Sequence, residues 1–265
     1  KYYGINNLQV DESLNKLAQW YKRTGQIYSE REIHRELLNR QETRKESDMA
    51  SLVETYKNLS FSHRREGMDL FQSINPLKEA IEAINLMDTP DLNLKFEVLL
   101  DLGDTYISFG RIQAAKKAYL ECWMLINEDQ LMREIIEDRF SEPVRVRNVQ
   151  IPKTFPLPII GEEIGETMPG SISINYDVDT NGQTINIEII ESSPKGIIDR
   201  EASKIINRVI YRPKYIDAEP QSTEGLSTRH EYNVRLSGIE DEKSKESASE
   251  IREEPLDDPL ENPIG

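Results

Sequence analysis

The sequence is short of most of what an enzyme needs. Cys122 is its only cysteine, so no disulfide closes within the 265 residues. A lone cysteine at a helix contact reads as a small apolar filler and says little about redox compartment. The three histidines, His34, His63 and His230, stand far apart, and none has a second histidine at metal-ligand spacing. No P-loop, G-x-S-x-G or H-E-x-x-H occurs. "DVDTNG" looks like the start of a calcium loop, but Glu188 falls inside an alternating strand rather than at the end of a loop. Catalysis, a metal, a cofactor and a small-molecule substrate are therefore not expected. No apolar run reaches membrane-spanning length. Excess basic charge is absent too: the net charge is −15, which argues against a nucleic-acid surface. The first residue is Lys1, read here as a sign that a signal peptide or anchor preceded it.

What is present is mostly helical. "LLDLGDTYISFGRIQAAKKAYLECW" (Leu99–Trp123) places Leu99, Leu102, Gly103 and Tyr106 on one face, then Ala115, Ala118, Tyr119 and Cys122 on another. Gly103 inside a helix costs about 1 kcal/mol against alanine, so close approach of a second helix is its expected reason. Gly110 ends the first run. Two antiparallel helices joined by a tight turn follow. The order of leucine, small residue, tyrosine, glycine, alanine, aromatic and small residue resembles a tetratricopeptide repeat, although any helical hairpin with small contact residues would share it.

One repeat cannot bury its own face, so others are expected. Leu14, Leu17, Ala18, Tyr21 and Gly25 keep the same relative order, but Glu30 and His34 stand where Ala115 and Tyr119 would. A degenerate copy surrounds Leu52 and Tyr56. A further helix is expected over Asn75–Met87, with Asn75 as N-cap and Pro76 at the first helical position. A closing helix is expected over Glu128–Phe140, with Leu131, Ile135 and Ile136 inward. The packing set is thus Leu17, Ala18, Tyr21, Leu102, Gly103, Tyr106, Ala115 and Tyr119.

Composition changes after Phe140. Five prolines between Ser141 and Gly170 mark a linker, with an edge strand at Val144–Val149 and apolar residues (Phe155, Leu157, Ile159, Ile160) expected to dock on a neighbouring domain. Then Ile172, Ile174, Tyr176 and Val178 alternate with polar residues, "TNG" (Thr180–Gly182) turns the chain, and Ile185, Ile187 and Ile189 follow at period two. A helix is expected next, burying Ile198, Ala202, Ile205, Ile206 and Val209, and "YRPKYIDAEP" is expected to end it. The last strand, Leu226–Leu236, puts Leu226, Thr228, His230, Tyr232, Val234 and Leu236 on one face and Arg229, Glu231, Asn233 and Arg235 on the other. From Ile239 to Gly265 there are ten acids against three bases, an acidic tail expected to be disordered.

The expected architecture is multidomain, α plus α+β: helical repeats over 1–141, a linker over 142–168, a small β-β-α-β domain over 169–237 and the tail over 238–265. The β-β-α-β order, with "VDTNG", "ESSP", "DREA" and "RP" at its joints, resembles the C-terminal domain of TonB, the energy transducer of Gram-negative bacteria. That resemblance implies a periplasmic location and a protein partner. The partner would be an extended segment of a TonB-dependent outer-membrane transporter, added as a strand, with the inner-membrane energising complex behind it. The implied edge is the last strand, with Leu226, Arg229, Glu231, Asn233 and Arg235 flanking the partner. The helices would recruit a second protein. A scaffold in which the small domain is only structural is the alternative, and open edges leave a homodimer possible. The transducers have an N-terminal membrane helix and a long Pro-rich spacer, and this sequence has neither.

Overall fold

The computed structural model describes residues 7–44, 48–67, 69–126, 130–147, 149, 151–156 and 165–235. Seven helices come first: α1 (Leu8–Arg23), α2 (Ile27–Thr43), α3 (Met49–Glu66), α4 (Leu70–Asn85), α5 (Leu92–Ser108), α6 (Ile112–Trp123) and α7 (Gln130–Phe140). Four begin on a side-chain cap: Asn7, Asp48, Asp69 and Asp91 each accept a hydrogen bond from a first-turn N–H. α1, α3 and α5 end at or next to a left-handed glycine: Gly25, Gly67 and Gly110. Gly25 and Gly110 take φ of +74° and +71°, and the next N–H in each case returns to a tyrosine carbonyl: Gln26 to Tyr21 and Arg111 to Tyr106, both at 2.9 Å. The two hairpins α1–α2 and α5–α6 are therefore closed by one device at matching positions. From α1 to α6 each helix packs on the next, giving a series of helical hairpins.

At Gly103 the Tyr119 ring of α6 lies directly against the backbone of α5. A Cβ there would lie 2.2 Å from Cε1 of Tyr119, and Tyr119 is fully buried. Its ring is pinned edge-on by Phe140 and Tyr215, at 5.6 and 5.5 Å between centroids, and its hydroxyl donates to Asp104 Oδ1 at 2.9 Å. The ring has nowhere to go, so Gly103→Leu is expected to cost about 3 kcal/mol, the upper end of ordinary overpacking. A denaturant midpoint equal to that of the parent would contradict this.

Ala18, Leu102, Gly103, Ala115 and Tyr119 are buried, and Tyr21 and Tyr106 half-buried. Leu17 departs from the expected set: it is 37% exposed and so is not a core residue. Glu30 and His34, poor matches to a repeat, are nevertheless buried. Glu30 is bonded to Arg65 of α3, so a charged pair fills the place of small residues. Asn75 is not a cap. α4 starts six residues earlier on Asp69, and Pro76 sits buried inside the helix. In α7, Met132, Ile136 and Phe140 face inward, while Leu131 is 65% exposed. Ile136 is buried and Ile135 half-buried against the same cluster, as expected, and only Leu131 leaves that face, its place taken by Met132.

The C-terminal part contains β1 (Val144–Arg147), β2 (Thr154–Phe155), β3 (Thr167–Val178), β4 (Thr184–Ser193), α8 (Asp199–Ile206), β5 (Ile210–Arg212), β6 (Lys214–Ile216), β7 (Glu219–Gln221) and β8 (Thr223–Arg235). One sheet has the order β2-β8-β3-β4, and β1 with β5, and β6 with β7, form antiparallel pairs. Ile172, Ile174, Tyr176 and Val178 are buried along β3, as alternation requires. β4 departs from it. Asn186 has φ of +52°, and the phase slips there: Thr184 is buried and Ile185 exposed before it, and Ile187 and Ile189 are half-buried after it. Ile198, Ala202, Ile206 and Val209 are buried as expected, but α8 stops at Ile206. "YRPKYIDAEP" is no simple terminator. It makes β5 to β7, and Asp217 and Ala218 take positive φ in the turn between β6 and β7.

By contact the chain divides into two compact units, and not at the expected boundaries. The helical unit also holds Tyr176–Asn186 and Asn207–Leu226. Within it Tyr215 enters the cluster of Tyr119, Phe140 and Trp123. Among the described residues the second unit holds 151–156, 165–175, 187–206 and 227–235. The region expected as one domain over 169–237 thus serves both, because its β5–β7 segment carries aromatic and charged groups that complete the helical core. Leu157, Ile159, Ile160, Leu236 and the acidic tail lie outside the described residues.

Candidate functional site

The site belongs to the second unit and is built on β8. Alternation along this strand leaves Arg229, Glu231 and Asn233 exposed and Tyr232 and Val234 buried. Tyr232 packs its ring over Gly170 of β3, where a Cβ would lie 2.7 Å from the ring. His230 stacks parallel to the same ring at 6.4 Å between centroids. Burial, with Asp199 nearby, pushes the Tyr232 hydroxyl up, so it stays protonated at neutral pH.

β8 is flanked by β3 on one side. On the other, the expected free edge is partly taken by the chain itself. β2 runs parallel to it, with Thr154 opposite Asn233 and Phe155 opposite Val234. The Asn233 N–H donates to the Lys153 carbonyl at 2.8 Å, and a ring nitrogen of His230 lies 3.0 Å from the Pro152 carbonyl. Backbone N–H groups two residues apart point the same way in a strand, so those of Arg229 and Glu231 face the side on which β2 sits. β2 pairs only with Asn233 and Val234, so the N-terminal part of this rail has no paired strand among the described residues. A groove of about 500 Å³ opens beside it, lined by Lys153, Gly170, Ser193, Arg229, Glu231 and Asn233 among others.

Three of the five expected edge residues, Arg229, Glu231 and Asn233, therefore share one groove. Leu226 is half-buried on the opposite phase and falls in the helical unit. Arg235 is buried, 5% exposed, although it follows the outward phase. Alternation fixes which face a side chain leaves from, not what lies over that face. Arg229 stands 4.0 Å from Glu191 of β4, with both side chains mostly exposed. Sequence reading missed Lys153, whose carbonyl holds the rail. The only signal for it was a proline-flanked apolar stretch.

The chemistry here is that of hydrogen-bonding backbone and a mixed-charge rim, without a nucleophile–base pair. Among the described residues no group of three or more potential ligands is placed to hold a metal. Burial pushes the Cys122 thiol up, the opposite of an activated nucleophile. Among the described residues no helix is long and apolar enough to cross a membrane.

A search of curated proteins finds no match. Among solved structures, BtubC (BKLC) from P. vanneervenii is similar at 14% identity and a TM-score of 0.39, over 49% of this chain and 52% of that one. The chain spans about half of that protein, and a likeness at this score carries no argument. The small α+β region is more informative: residues 163–234 match the family model described as Gram-negative bacterial TonB protein C-terminal, a non-catalytic interaction domain.

Proposed function

We propose that the chain is an envelope protein-interaction module of the TonB type. It binds an extended segment of an outer-membrane transporter, or another envelope partner, by strand addition on β8, and its helices recruit a second protein in support of TonB-dependent transport. The observation that carries this reading is the rail itself. A short parallel strand, β2, already adds to β8 through backbone bonds, and the neighbouring N–H groups beyond it offer the same chemistry to an incoming chain. Alternate residues Arg229 and Glu231 would then read the partner's side chains.

The orientation of the N–H groups makes the test specific. Glu231→Pro removes an N–H on the rail without touching the bond from Asn233 to Lys153. It is expected to stay folded and to lose binding of TonB-box-like peptides from outer-membrane transporters of the same genome, measured by calorimetric titration. Asn233→Pro is expected to disturb the seat of β2 as well. Alanine at Arg229 should weaken binding less and shift peptide preference. Strand addition at β8 is wrong if no such peptide binds, or if folded Glu231→Pro binds as well as the parent.

A second reading has an observation in its favour. Arg212 and Tyr215, inside the stretch matching the TonB family, are built into the core of the helical unit. In that reading the small region is a structural cap and the helices do the binding. Deleting the whole region would remove part of the helical core, so point substitutions on the rail are the cleaner discriminator.

A further inference from the structure

The chain is strongly acidic, yet one surface of its helical unit gathers cations. Phe61 of α3 has three of them around its ring: Lys22 Nζ at 4.7 Å from the centroid, Arg64 at 5.2 Å and Arg65 at 5.4 Å. Each cation–π contact contributes only about 0.5–2 kcal/mol, and the like charges repel one another. Such a gathering becomes favourable when an anion joins it.

Two cavities meet this cluster. One, of about 440 Å³, is lined by Asn15, Lys22, Arg23, His34 and Asn58 among others. The second, of about 610 Å³, is lined by Phe61, Arg64, Arg65, Phe109 and Arg147 among others. The acids on their walls are engaged. Glu66 is held by Arg31 at 2.6 Å and by the Tyr28 hydroxyl at 2.9 Å. Glu54 accepts from Asn58 Nδ2 and lies 4.0 Å from Lys57. Arg65 is bonded to the buried Glu30. Arg64 donates to the Thr105 hydroxyl at 3.4 Å, with Asp101 near it but shared with Lys57, while Lys22, Arg23 and Arg147 form no ion pair among the described residues. At the floor of the first cavity, Nδ1 of His34 is buried without a hydrogen-bond partner, in a residue only 5% exposed. Burial, with Lys22 and Arg65 nearby, pushes this histidine down to about 4, so the ring is neutral at pH 7.

We propose that this trough binds an extended acidic peptide segment of a partner protein. Its carboxylates would sit over Lys22, Arg64 and Arg147, and an apolar side chain would lie between Phe61 and Phe109. The amides of Asn15 and Asn58 would meet its backbone. A short segment fits better than a nucleic acid, because the cations are few and the rest of the protein repels a long polyanion. The segment itself feels mainly the local charges, since exposed charges beyond about 10 Å are screened at 0.1 M salt. The inference rests on the helical half of the proposed function and is independent of strand addition on β8.

Calorimetric titration of the whole chain with a hexaglutamate peptide, and with hexaglutamine as control, tests it. Hexaglutamate is expected to bind and hexaglutamine not, and binding should weaken steadily between about 0.05 and 0.5 M salt. Lys22 and Arg147 are exposed, so the double variant Lys22→Gln, Arg147→Gln should keep its helical circular dichroism while raising Kd by about tenfold or more. Its binding of transporter peptides should not change. The proposal is overturned if hexaglutamate binds no better than hexaglutamine, if the double variant binds it unchanged, or if binding ignores salt. Loss of transporter-peptide binding alone would count against the β8 reading and leave the trough standing.

Discussion

Arg212→Ala is expected to destabilise the helical unit by about 3–5 kcal/mol, the range for leaving one partner of a buried ion pair alone. Arg212 is 4% exposed and lies 3.2 Å from Asp104, which also accepts from the Tyr119 hydroxyl. Its other Nη donates to the Arg139 carbonyl at 3.3 Å, and its guanidinium lies over the Phe140 ring at 5.4 Å. One side chain from β5 thus ties α5 to α7, and Asp104 extends the network to Tyr119 of α6. Alanine would leave the Asp104 carboxylate with a neutral hydroxyl, and the helix-terminal carbonyl of Arg139 without its donor. Lysine keeps the charge but not the planar fork, and should recover only part of the loss. Chemical denaturation followed by helical circular dichroism measures this. A loss below about 1 kcal/mol, the scale of a surface pair, would mean that the network does not hold the unit together. Removing Asp104 as well should cost less than the two single losses added, since no unpaired charge then remains.

Gly182→Ala is expected to be nearly as damaging, by about 2–5 kcal/mol, combining a left-handed backbone with overpacking. Gly182 has φ of +78°, and a Cβ would fall 1.9 Å from the Tyr211 carbonyl oxygen and 3.0 Å from Ile107 Cδ1. The obstacle is backbone, so no rotamer change relieves it. The turn is itself rigid: the Asp179 carboxylate accepts from the N–H groups of Asn181 and Gln183 at 2.9 and 2.8 Å. Beyond the turn, Lys116 of α6 donates to Asn181 at 3.0 Å, and the Tyr211 N–H donates to the Gly182 carbonyl at 2.8 Å. Gly110→Ala supplies the control. Its φ is +71°, but nothing lies within 4 Å of its missing Cβ, so only the backbone cost of about 1 kcal/mol applies. Equal losses in the two variants would show that the hairpin tip is not seated against β5. Faster amide exchange at Tyr211 in Gly182→Ala alone would show that it is.

The elements that rest on local rules are legible in the order of the residues alone. Tyr21 to Gly25 and Tyr106 to Gly110 repeat a helix end at equal spacing, and both glycines adopt the left-handed conformation such an end requires. Small residues at positions 103, 115 and 118 announced a close helix contact. "TNG" between alternating runs announced the hairpin of β3 and β4, and alternation placed Tyr232 and Val234 inward on β8. The stretch matching the TonB family was legible for the same reason, since its turns and strands carry their own signatures.

What those elements meet depends on contacts made far along the chain. Nothing local in "YRPKYIDAEP" says that Arg212 will seek a carboxylate 108 residues earlier, or that Tyr215 will meet Phe140 edge-on at 5.0 Å. Nor does any local rule say that Lys153 will take the hydrogen bond of Asn233 and occupy part of the edge that alternation leaves open. The cations around Phe61 come from two helices, and sequence shows them as separate charges in a chain of the opposite sign. Period and turn chemistry are properties of neighbours along the backbone. Burial of a charge, occupation of an edge and the sign of a groove are properties of groups that only folding brings within a few ångströms.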